Sequence, residues 1–229
     1  KPEKHLHKQS TKAPELRDEA DLAPSGAAQG FLARYAGRTV VAIGAHPDDI
    51  ELGIGGTLAR LSRLGARVVM AIASVPSDFA QRRREAARAA GILGCELRVL
   101  LDNGPQRIED IKHYQLVGML DGLVHEYRPA AVFTHSASEF HRDHVTVHNA
   151  TVSTQRLLQF DFFSYSPTMC RPVPVQFHPR LYVNVTDTID AKMEAIRAHS
   201  SQFGCRGIST DFYRDVARLN GRMVGVDYA

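Results

Sequence analysis

From residue 38 onward, short apolar runs alternate with longer segments of helical periodicity, and this alternation leaves few folds open. Residues 39–45 (TVVAIGA) and 68–73 (VVMAIA) are continuous apolar runs, as expected of strands buried on both faces. Residues 96–101, 130–134 and 181–185 read as further strands. Helical spacing predicts helices over 57–64, 79–93, 108–127, 144–158, 188–202 and 210–219. Gly65, Gly94 and Pro129 supply three of the stops. Strands alternating with helices give a parallel sheet, and right-handed crossovers cover both of its faces. The expected fold class is therefore α/β, a Rossmann-like doubly wound, mostly parallel sheet with helices on both faces.

Composition removes several function classes. With 229 residues and 44% hydrophobic content, the chain can bury a core and is not disordered as a whole. No apolar run approaches the roughly 20 residues a bilayer span needs. A net charge of +3 is not a nucleic-acid footprint. Cys95, Cys170 and Cys205 are widely spaced with no C-x-x-C, which favours a reducing cytoplasm over a disulfide framework. Residues 1–30 read as a flexible tail and 31–229 as a single domain. The chain does not begin with Met, so it is expected to be trimmed or partial.

In doubly wound sheets, ligands sit at the carboxyl ends of strands where the strand order reverses. The loops after the first and fourth strands hold the two densest groups of ligating side chains. The first is His46-Pro47-Asp48-Asp49-Ile50-Glu51. Three carboxylates this close repel unless a cation neutralises them, and His with carboxylate suits Zn²⁺ or a similar divalent ion. A tight turn brings residues i and i+3 to one point, so His46 and Asp49 can share an ion while Asp48 serves as a base. The competing reading has Asp48 or Asp49 capping the next helix and His46 as a core residue. The nearby Gly53-Ile54-Gly55-Gly56 does not follow a strand directly and is read as allowing close backbone packing.

The second group runs from His135 to His148 and includes His141-Arg142-Asp143-His144. His144 and His148 share a helix face, but residue 145 is Val, so the H-E-x-x-H metallopeptidase pattern is not met. Glu139 and His135 read as loop surface. Phe160, Phe162, Phe163 and Tyr165 read as core or as a pocket wall, and 166–174 as a loop near the site.

These residues resemble a known family. A strand followed by A-H-P-D-D-x-E (45–51), then G-x-G-G, then a distant H-x-D-H (141–144) is similar to the LmbE/PIG-L family of zinc-dependent N-acetylglucosaminyl deacetylases. R-x-x-E-A beginning at Arg82 and K…H-x-S-Q from Lys192 to Gln202 extend the likeness over about residues 38–229. Arg142 stands where that family often has Pro, and the family commonly continues past a pair like Tyr228-Ala229. The resemblance implies one Zn²⁺ per chain, held by His46, Asp49 and His144. It implies Asp48 as general base, His141 as oxyanion stabiliser or acid oriented by Asp143, and Arg82 at the substrate. The implied reaction is hydrolysis of the N-acyl, chiefly N-acetyl, amide of an amino sugar or glycoconjugate. The alternatives are an amidase acting on a sugar-linked thiol conjugate and a non-catalytic metal-binding Rossmann-like module.

Overall fold

The computed structural model describes residues 27–167, 176–204, 207 and 209–229. Five parallel strands form one sheet: β1 (Thr39–Gly44), β2 (Arg67–Ile72), β3 (Glu96–Val99), β4 (Ala131–His135) and β5 (Asp161–Tyr165). Their spatial order is β3-β2-β1-β4-β5. The helices are α1 (Ala27–Ala33), α2 (Asp49–Arg63), α3 (Phe79–Leu93), α4 (His113–Tyr127), α5 (Arg142–Thr154), α6 (Ile189–Ala198) and α7 (Asp211–Val224).

Successive side chains of a strand point to opposite faces, and both faces here are covered. Val40 and Ala42 of β1 enter one core with Leu58 and Leu61 of α2 and with Ala89 and Leu93 of α3. Val41 and Ile43 enter the other, with Leu116 and Leu120 of α4 and Val147 of α5. Two-sided burial explains why β1 and β2 are apolar without alternation. The chain winds outward from β1 to β3, then returns to lay β4 on the other side of β1. The carboxyl ends of β1 and β4 are thus neighbours at the reversal point, and both ligand-rich loops start there.

The structure moves several boundaries. α2 begins at Asp49, directly after the His-Pro-Asp turn, rather than near residue 57. Its glycines have poor helix propensity, which conceals its first two turns. Packing explains them: a Cβ on Gly53 would lie 2.3 Å from the Tyr165 ring, and one on Gly56 2.9 Å from Val185. The long helix expected over 108–127 is a single 3₁₀ turn, Ile108–Asp110, followed by α4.

The strand expected over 181–185 does not form, and the fifth strand is instead β5, from the aromatic run. Side chains of α2 engage the chain near that apolar run in place of a strand ladder. Arg60 donates to the Asn184 carbonyl (2.6 Å) and Arg63 to that of Asp187 (2.7 Å). Of the expected tail, residues 1–26 lie outside the described residues and 27–30 belong to α1, which continues to Ala33. Most of the loop expected over 166–174 likewise lies outside them. No helix among the described residues is long and apolar enough to cross a membrane.

Candidate active site

Pro47 and the start of α2 turn the chain sharply after β1. Asp48 absorbs the turn with a left-handed backbone, φ 94°, which is uncommon for a residue with a Cβ. Its side chain makes no capping bond, so the helix-cap reading of Asp48 does not describe it. The turn is braced by the His46 N–H, which donates to Asp49 Oδ2 at 2.8 Å.

The three carboxylates are held apart by different partners. Asp49 faces imidazoles: His144 Nε2 lies 3.2 Å from Oδ1, His135 Nε2 3.3 Å from Oδ2, and His46 Nδ1 3.7 Å from Oδ2. Glu51 pairs with His199, Nε2 to Oε1 2.8 Å, with both side chains buried. Asp48 lies between these pairs. Burial and the adjacent Asp49 raise its pKa to about 7, against the opposing influence of His199 and Arg82. Asp49 itself is held well below the usual carboxylate range, because the His144 imidazole beside it outweighs its burial.

Each of two histidines in the cluster has a carboxylate behind it. His46 Nε2 lies 3.0 Å from Asp143 Oδ2, and His144 Nδ1 3.1 Å from Glu139 Oε2. Such a partner fixes the proton on the outer nitrogen and leaves the inner one, His46 Nδ1 or His144 Nε2, directed at Asp49. Burial lowers the His144 pKa, but Asp49 and Glu139 more than offset it and bring it to about 10. Nitrogens of His46, His141 and His144 also lie within 4.8 Å of one another.

The expected set of His46, Asp49 and His144 draws on two donor groups. His46, His141 and His144 hold no carboxylate among themselves, and Asp49 adjoins them at His144 (3.2 Å) and His46 (3.7 Å). With carboxylates in support behind the imidazoles, the set fits a zinc-like cation. A second buried trio, Asp49, His135 and His144, is less suited to one. His135 Nε2 already accepts the Ala45 N–H at 2.9 Å, which puts the ring proton on Nδ1.

The remaining expected residues are placed as follows. His141 is exposed at the start of α5, and its Nδ1 accepts the Asp143 N–H (3.2 Å). Burial, with His46 and His144 nearby, lowers its pKa, so near neutral pH it is uncharged and carries its proton on Nε2. The Asp143 carboxylate, expected to orient His141, bonds His46 instead; only its backbone N–H reaches the His141 ring. Arg82, expected at the substrate, is 6% exposed and donates to the Pro47 carbonyl at 3.3 Å. Helix α3 places it beneath the turn.

His135 and Glu139 correct the reading of loop surface. His135 is fully buried, with its ring stacked on His144 (3.9 Å between centroids, 9° between planes), and Glu139 is buried behind His144. Strand alternation carried the signal, since position 135 lies on the same face as buried Ala131 and Phe133. The aromatic run serves both expected purposes. Tyr165 is in a core and Phe163 packs against it, while Phe162, Phe163 and Tyr165 line a cavity of about 340 Å³ beyond Gly53.

Residues 41–154 match the family model described as PIG-L: GlcNAc-PI de-N-acetylase. The chain belongs to the PIG-L family. The match contains the turn after β1, β4 and all of α5, so both ligand-rich loops lie inside it. The chain is 29% identical over 172 residues to the uncharacterized deacetylase YaiS of Escherichia coli, covering 71% of this chain and 90% of that protein. It is 26% identical over 218 residues to the diacetylchitobiose deacetylase of Thermococcus kodakarensis, covering 84% and 81%. Among solved structures, the conserved protein TT1542 from Thermus thermophilus superposes with a TM-score of 0.69 at 26% identity, covering 83% of this chain and 91% of that one. In this PIG-L chain, the polar cluster lies on the sheet edge where a doubly wound fold binds its ligand.

Proposed function

We propose that this chain is a zinc-dependent deacetylase that hydrolyses the N-acyl, chiefly N-acetyl, amide of an amino sugar or glycoconjugate. One observation carries the reading. A carboxylate with a pKa raised to about 7 (Asp48) is built into a strained turn beside a cluster whose imidazole nitrogens converge on Asp49. The relatives named as deacetylases, including one named for diacetylchitobiose, supply the substrate class.

His46, Asp49 and His144 would hold the zinc. Zinc in such a site polarises an amide carbonyl and makes water more acidic. Asp48 takes the proton of the attacking water, and its pKa suits it to pass that proton to the departing nitrogen. His141 presents its Nε2–H to the carbonyl oxygen as negative charge develops there. Asp143 fixes the tautomer of His46, and Glu139 that of His144. Arg82 supports the turn through the Pro47 carbonyl. The products are a carboxylate and a free amine.

The test begins with metal analysis of protein purified without chelators or a metal-affinity tag, followed by acetate release from N-acetylated amino sugars. About one zinc per chain and acetate release abolished by Asp48→Asn are expected. Failure to take up metal when zinc is offered would refute the ligand set. Unchanged turnover in Asp48→Asn would refute the base.

A further inference from the structure

His199, which opens the H-x-S-Q segment, and Lys192 upstream lie outside the proposed chemistry, yet both are buried and bonded to α2. Three residues on one face of α6 and its flanks supply four contacts. Thr188 Oγ1 donates to the Gly56 carbonyl (2.8 Å), and Lys192 Nζ to those of Leu52 (2.8 Å) and Gly53 (3.5 Å). His199 Nε2 meets Glu51 at 2.8 Å. α2 needs these partners because Ile54 leaves helical geometry (φ −134°), which interrupts the ladder where the Leu52 and Gly53 carbonyls would be satisfied.

His199 is itself held firmly. Its N–H donates to the Ile196 carbonyl, and its own carbonyl accepts the N–H groups of Gln202 and Phe203. The next two residues are tied to α3: Ser200 Oγ (3.0 Å), Ser201 N (3.0 Å) and Ser201 Oγ (2.5 Å) all donate to the Glu85 carboxylate. One turn earlier on α3, Arg82 holds the Pro47 carbonyl. The Pro-Asp-Asp-Ile-Glu turn is therefore gripped at Pro47 from α3 and at Glu51 from α6. Asp48 lies between the two grips with the left-handed backbone that such a turn requires. A conformation of that kind persists only where its surroundings over-determine it.

We propose that His199 is a positioning residue: through its bond to Glu51 it holds the turn that aims Asp48 at the substrate, and Lys192 fixes the kinked helix behind that turn. The catalytic consequence rests on the deacetylase reading, whereas the structural one does not. Displacement of a reacting group by about 1 Å costs up to roughly 100-fold in rate.

The test compares His199→Leu, which keeps bulk and loses the donor, with His199→Gln, whose amide nitrogen can replace Nε2. In zinc-loaded protein His199→Leu should lower kcat by about 10-fold or more, with KM within about twofold and zinc retained. It should also speed amide exchange in residues 46–52. His199→Gln should restore kcat to within about threefold and return exchange to the wild-type rate. Equal losses in the two variants, a rise in KM at constant kcat, or wild-type kcat in His199→Leu would overturn the proposal. Should His199→Leu fail to fold, Glu51→Gln examines the same bond from the other side. It keeps an acceptor and should stay within about threefold in kcat, whereas Glu51→Leu, which removes the acceptor, should lose about 10-fold or more; a loss of about 10-fold in Glu51→Gln or wild-type kcat in Glu51→Leu would overturn the proposal. If wild-type protein releases acetate from no N-acetyl sugar, the deacetylase reading fails and exchange alone decides: faster exchange at 46–52 in His199→Leu and not in His199→Gln sustains the positioning role, and equal rates end it.

Discussion

Gly53→Ala separates local helix propensity from tertiary packing at a position where they have opposite signs. In an exposed helix interior, replacing Gly by Ala stabilises by about 1 kcal/mol. At Gly53 the new methyl would lie 2.3 Å from Tyr165 Cδ2 and 2.8 Å from Cε2. Ordinary contact needs about 1 Å more, and the ring cannot easily move that far. Tyr165 is 4% exposed, its hydroxyl donates to the Ile43 carbonyl at 2.9 Å, and its ring centroid lies 5.0 Å from that of His135. Overpacking of this kind costs about 1–3 kcal/mol, more than the propensity gain over most of that range. Gly118, exposed on α4 with nothing within 4 Å of its Cβ position, is the control, and Gly118→Ala should gain up to about 1 kcal/mol. The two variants should therefore differ by roughly 1–3 kcal/mol in urea unfolding, with Gly53→Ala the less stable and about 2–4 °C lost in Tm per kcal/mol. A Gly53→Ala protein as stable as Gly118→Ala would show that the Tyr165 contact does not constrain α2.

Other perturbations read other parts of the structure. Burial brings the Lys192 pKa down to about 8 from 10.5, so between these values the unfolded chain binds more protons than the native one and stability rises with pH. The stability of wild type relative to Lys192→Met should climb by about 3 kcal/mol across that window, and a flat difference would contradict the burial. Asp48→Asn should fold and be more stable than wild type near neutral pH, since Asn tolerates the left-handed backbone and removes a carboxylate whose pKa burial raises, whereas Asp48→Val should lie about 1–3 kcal/mol below Asp48→Asn; denaturant unfolding of the pair checks this. His144→Ala should lose bound zinc in metal analysis, and full occupancy in that variant would exclude His144 as a ligand. Arg82→Met should lower kcat and leave KM nearly unchanged, because the guanidinium holds the Pro47 carbonyl; a rise in KM alone would restore the expected substrate contact.

Four of the five strands and the reversal point between the first and the fourth follow from the sequence. Apolar runs such as 68–73 must be buried on both faces, and strands alternating with helices can satisfy that only as a covered parallel sheet. The reversal then brings together the loops bearing His46 to Glu51 and His141 to His144. Local patterning could not show which side chains face which. The first turns of α2 were hidden because glycines that fit against Tyr165 and Val185 look locally like a break in a helix. β5 was hidden because an aromatic run reads equally as strand, core or pocket wall. Asp143 on His46, Glu139 on His144 and His199 on Glu51 join residues 97, 5 and 148 positions apart, and their pairing depends on how rings and carboxylates orient once helices pack on the sheet. The sequence supplied the residue types and the sheet edge where they gather. Only tertiary packing assigned each carboxylate its histidine, because buried charges are balanced by whichever partner the packed backbone brings within hydrogen-bond reach.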